Sequence, residues 1–218
     1  MPAIADIGTR IELVPMDGHF HDITVALYRQ PTTAGPAFLV HTYSALDGAE
    51  RRLEDIRSLM MTLGGLQPSV EAPGLLAFPC GEEHGLAVRR LFLEACKVGS
   101  PDEAVPPPLS TVDRKSGLTI VAEPLGEGQY RVEAVGEAGE ADRSRRVGVI
   151  VNGLMKLGEM RRVEGADDCV GFDCGYSHDE LVGLLLVRAP NVRAIVREQQ
   201  ALAARGVLAA PSQQGDAP

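Results

Sequence analysis

The sequence predicts an α+β fold made of two ββαβα repeats, with a mixed or antiparallel sheet and helices packed on one face. Three observations carry this. The heptapeptide Phe-x-Cys-Gly-x-x-His occurs as FPCGEEH at 78–84 and again as FDCGYSH at 172–178, in a chain with only four cysteines and five histidines. Cys80 and Cys174, like His84 and His178, stand 94 positions apart. The same offset, without a gap, pairs Arg51 and Arg52 with Arg145 and Arg146, Ile56 with Ile150, Leu63-Gly64 with Leu157-Gly158, and Leu91 with Leu185. A self-match that keeps register over so long a stretch marks an internal repeat. Finally, the first two strands of each repeat are joined by loops too short for a crossover, which disfavours a doubly wound parallel sheet.

Taken in order, IELVPM (11–16) reads as a first strand. DITVALYR (22–29) and AFLVHTYS (37–44) carry the β-branched and aromatic residues of two more, separated by the loop QPTTAGP. Asp47 and Glu50 form a capping box for a helix whose Leu53, Ile56, Leu59, Met60 and Leu63 fall on one face, and Gly64-Gly65 ends it. GLLAFPC (74–80) is a short apolar run bounded by Pro73 and Gly81, read as a buried strand, and a second helix runs from His84 to Lys97.

The second half follows suit. GLTIVAEP and QYRVEAVG are strands around a GEG turn, a helix spans 142–160, DCVGFDC is a strand, and a last repeat helix starts near His178. Pro190, Val192, Ile195, Val196 and Leu202 mark an additional amphipathic helix closed by Gly206. The first repeat with its extra strand thus occupies 1–98 and a Pro-rich linker 99–117. The second repeat with its additional helix fills 118–206, and 207–218 is predicted to be a disordered tail.

Charge narrows the function. A formal net charge of −9 without a lysine or arginine cluster argues against nucleic acid and anionic membranes, whose phosphates would repel the chain. Arg143, Arg145 and Arg146, with Arg161 and Arg162, read as solvated faces. No leader-like N-terminus and no run of about 18 apolar residues is present, so a cytoplasmic protein is expected. Its Cys80, Cys96, Cys169 and Cys174 should then be thiols, ligands or core residues rather than disulfides. The partner is an unidentified protein or small molecule, and the helix after 190 could serve a homo-oligomer.

The duplicated motif supports three readings. Ser177 with Glu180 makes a capping box that puts His178 in the first helical turn, with Gly175 supplying the turn after Cys174; Glu83 replaces Ser177 in the first repeat. In the plainest reading, Phe, Gly and Cys recur because the same corner must pack twice. This accounts poorly for the histidine, which a helix N-terminus disfavours as a cation. In the second, a pseudo-twofold brings Cys80, His84, Cys174 and His178 together as a Cys₂His₂ set suited to tetrahedral Zn²⁺. In the third, Cys174 is a nucleophile for acyl transfer or hydrolysis, with His178 as its base and Asp179 or Asp173 orienting the ring. Cys169, with Leu75 as its counterpart, reads as core.

His19 and His21 read as a solvated turn and His41 as the polar face of a strand. The chain has no Gly-rich phosphate loop and no G-x-S-x-G elbow.

Overall fold

Alternating apolar residues build two separate sheets, and helical periodicity builds the layer that joins them. The computed structural model describes residues 8–15, 23–46, 48–72 and 74–197. His19, His21, the Asp47 cap, the helix beyond residue 197 and the tail at 207–218 lie outside the described residues.

In the first half, β1 (Thr9–Pro15), β2 (Thr24–Thr32) and β3 (Gly35–Thr42) precede α1 (Ala49–Gly64), followed by β4 (Gln67–Pro68), β5 (Leu76–Ala77) and α2 (Gly85–Ala95). The second half carries β6 (Ser110–Val112), β7 (Thr119–Gly126) and β8 (Gln129–Val135), then α3 (Glu140–Gly158), β9 (Arg161–Arg162), β10 (Cys169–Gly171) and α4 (Asp179–Arg188). The sheets are ordered β1-β2-β3-β5-β4 and β6-β7-β8-β10-β9, and every pairing is antiparallel. The class is therefore α+β.

Several expectations change in detail. Each half reads βββαββα: the extra first strand expected in the first half alone, β1, has a counterpart in β6, and the added β4 and β9 are two-residue strands too short to show a period of two. The expected loop at 30–36 is mostly strand: β2 and β3 run to a tight turn at Thr33-Ala34, with Gly35 at φ 116°. The expected strand at 74–80 contracts to Leu76–Ala77, since Pro79 has no N–H to give a ladder and the chain turns at 79–81. Within 99–117 lie a 3₁₀ turn, Pro101–Glu103, and the edge strand β6. α1 begins after Gly48 and α4 after His178, neither with a side-chain cap, so the Ser177–Glu180 capping box does not form.

Val25, Leu27, Phe38 and Val40 from one sheet and Ile120, Ala122, Tyr130 and Val132 from the other share one continuous core with the apolar faces of all four helices. Burying each large apolar side chain contributes roughly 1.5–3 kcal/mol, so this shared layer dominates the energetics. The helices touch within and between halves: α1 packs on α2 and on α4, and α3 on α4 and on α2. Gly64 lies against Leu91 and Gly158 against Leu185, so each helix pair approaches closely where no Cβ intervenes. Across the halves Arg188 pairs with the buried Glu94, and the Leu86 N–H donates to Glu159 Oε2 at 3.1 Å. Among the described residues no helix is long and apolar enough to cross a membrane.

Candidate metal centre

Each half delivers one thiol and one imidazole to the same place by the same local device. After the buried Phe78 the chain turns, with the Gly81 N–H donating to the Phe78 carbonyl at 3.0 Å and Gly81 at φ 77°. Phe172 and Gly175 repeat this at 3.2 Å and φ 68°. A left-handed glycine costs nothing here, whereas a side chain would be strained. The turn aims the next amide back at the sulfur: Glu82 N–H donates to Cys80 Sγ and Tyr176 N–H to Cys174 Sγ, both at 3.4 Å.

Hairpin glycines brace both turns from behind. A Cβ on Gly35 would collide with the Gly81 carbonyl, and one on Gly128 would come within 2.8 Å of the Tyr176 carbonyl oxygen. This bracing joins segments far apart in the chain, and neither glycine carries a sequence signal for it.

The histidines end the approach to the helices. His84 is the N-cap residue of α2 at φ 43° and His178 that of α4, one position earlier than the first turn expected for it. Neither imidazole caps its helix, because each is turned onto its cysteine: Cys80 Sγ to His84 Nε2 is 3.2 Å and Cys174 Sγ to His178 Nε2 is 3.4 Å. The rings also meet each other. His84 and His178 stack edge-on at 4.6 Å between centroids, and Phe78 and Phe172 each contact both of them at 5.0 to 5.4 Å.

One ligand atom from each of Cys80, His84, Cys174 and His178 lies within 4.8 Å of every other. Tetrahedral coordination with bonds near 2.3 Å to sulfur and 2.0–2.1 Å to nitrogen needs ligand separations of about 3.3–3.8 Å. The set therefore needs only small side-chain adjustments to close on a cation, and it could hold a metal.

The electrostatics suit that use. Burial, reinforced by His84, drives His178 down to about 4, and burial also lowers His84, so both rings are neutral acceptors at neutral pH. Burial pushes the Cys80 thiol up to about 11 against the pull of the Glu82 amide, and the Cys174 sulfur adds to the rise. A thiolate there needs a positive neighbour. Neutral imidazoles do not provide one, but a divalent cation does.

The remaining candidates lie elsewhere. Asp179 Oδ1 accepts from the Tyr130 hydroxyl at 2.8 Å, and the same hydroxyl accepts from the His178 backbone N–H at 2.8 Å. The carboxylate thus fixes the backbone beside His178 through Tyr130 instead of orienting the ring. Asp173 pairs with Arg161 at 2.8 Å. Tyr130 had no motif to reveal it; Phe38 holds the corresponding place, each facing its β5 or β10 partner in the ladder. Cys96 and Cys169 are buried, and all four thiols are free. His41 sits between Tyr28 and Tyr43 in edge contacts on the outer side of the first sheet, away from the cluster.

No family model, no curated protein and no solved structure matches this chain. The fold and the four-residue cluster are what define it: an α+β protein with a Cys/His set able to hold a metal.

Proposed function

We propose that this chain is an internally duplicated binding or scaffold protein of the cytoplasm whose halves are clasped by one structural Zn²⁺ on Cys80, His84, Cys174 and His178. The observation that carries it is the convergence of two ligands from each half, with all ligand atoms inside 4.8 Å. Duplication is supported by the ungapped offset of 94 and by residues that far apart meeting in space, His84 with His178 and Glu94 with Arg188. Such self-contacts arise where a pseudo-twofold axis passes. Zinc is favoured over other ions by the donor set, two thiols and two imidazoles at tetrahedral spacing. With four protein ligands no position is left open for substrate, which makes the role structural. Four thiols without a disulfide suit a reducing compartment.

The test is elemental analysis of protein purified without a polyhistidine tag. One zinc per chain is expected, with Cys80→Ser and Cys174→Ser abolishing it equally, since one tetrahedral ion needs both halves. Replacement by Co²⁺ should give the intense visible bands of a tetrahedral S₂N₂ site. Metal-free protein with rapid alkylation of Cys174 alone would instead support a thiol-dependent enzyme.

A further inference from the structure

A cleft lined by cations lies outside the Cys/His cluster and shares no residue with it. This cleft of about 620 Å³ is lined by Lys115, Arg146, Lys156, Arg193 and Arg197, together with Asn152, Asn191 and a few small apolar residues. Among the residues lining it there is no carboxylate and no aromatic ring. Five cations on one concave surface are unexpected in a chain of net charge −9. They come from three separate stretches of sequence, the segment before β7, the face of α3 and the helical stretch at 192–197, so no local cluster announces them.

The cations are largely uncompensated. Among the described residues Lys115, Lys156, Arg193 and Arg197 make no ion pair. Arg146 is 14% exposed at its side chain, with Nε 2.5 Å from Asp113 Oδ2, yet its Nη2 is buried without a hydrogen-bond partner. A buried guanidinium nitrogen lacking an acceptor is costly, and a ligand oxygen would remove that cost. Its counterpart in the first half shows the contrast. Arg52 gives its Nη atoms to the carbonyls of Cys96, Val98 and Gly99 at 2.8 to 3.2 Å, closing the end of α2. Residues 198–218 carry Glu198 and Asp216 against Arg205, too little charge to neutralise five cations.

We infer that this cleft binds a compact polyanion carrying two or more phosphoryl groups. Its volume suits a small molecule rather than a nucleic-acid strand. Arginine forks match phosphoryl oxygens, and lysines add point charge. The lack of aromatic lining leaves nothing on which a nucleobase could stack, so recognition is of the phosphates themselves.

Calorimetric titration of the full chain with inorganic pyrophosphate at physiological ionic strength tests this. One site per chain is expected, weakened at least about tenfold in Lys156→Glu/Arg193→Glu, where both side chains are exposed and the fold is not at stake. Arg51→Glu, which reverses an exposed cation on α1, should bind as the unaltered protein does, and Cys174→Ser should retain binding. The inference is overturned if pyrophosphate does not bind or if Arg51→Glu weakens binding as much as the double variant. It is equally overturned if Cys174→Ser abolishes binding, which would mean that the anion is held by the Cys/His site.

Discussion

His178 shows how one imidazole can be held neutral by its neighbours. It is 3% exposed, wedged between Phe78, Phe172 and the ring of His84, and its backbone N–H is held by Tyr130. That setting makes the metal-free protein sensitive to acid. An unfolded histidine takes a proton at 6.5, whereas folded His178 resists until about 4 and His84 is lowered as well. Between those values the unfolded chain binds more protons, so stability is present above 6.5 and is lost as the pH falls toward 4. Cys80 works at the other end. Its folded thiol sits near 11 against 9.0 when unfolded, so its contribution is intact below 9 and lost as the pH rises through 11. Thermal midpoints of chelator-treated protein should therefore fall from pH 7 to pH 5.5, before the carboxylates titrate. A flat profile there, or one unchanged in His84→Gln/His178→Gln, would show that the rings are not held neutral.

At the scale of elements, the Pro-rich stretch behaves differently from a free linker. Gly183 of α4 faces it, and a Cβ there would run into the Pro107 carbonyl oxygen, with Pro108 close behind. α4 and the stretch are thus packed backbone to helix, and β6 extends it as a sheet edge. Gly183→Ala should cost about 1–3 kcal/mol as an overpacking change. Gly148→Ala in α3, where nothing lies within 4 Å of the added Cβ, should instead stabilise by roughly 0.5–1 kcal/mol. Chemical denaturation of the two variants checks the pair, and equal effects would refute the packing.

The long elements were legible because period and length agree: α1, α2, α3 and the hairpins β2–β3 and β7–β8 stand close to where their apolar patterns place them. The Cys/His set was legible because the same seven positions recur. Short strands such as β4 and β9, and the Tyr130 hydroxyl between Asp179 and His178, depend on tertiary partners and leave no local pattern. The Ser177–Glu180 capping box failed for a related reason. The residue that takes the N-cap of α4 is the one whose side chain is committed to Cys174.

For the whole molecule the question is whether the halves are independent. Each has its own sheet, which by itself suggests two lobes, but the cores are not separate: α1 meets α4, α2 meets α3, and one apolar cluster runs through both. Either half alone would expose the helix faces that the other covers, losing far more than the margin of about 5–15 kcal/mol by which domains are stable. A protease site engineered after Val105, which is 76% exposed, should then leave a nicked protein that migrates as one species and unfolds in one transition. The proposed ion adds a second bond between the same two pieces. With it bound, the fragments are joined by four ligands as well as by the core; with it removed, by the core alone. Chelation of the nicked protein should raise the fragment dissociation constant by at least about tenfold, and Cys80→Ser should abolish that dependence. Fragments that separate and stay folded, each with its own cooperative transition, would show that the halves are two domains and that neither core nor metal is needed to join them.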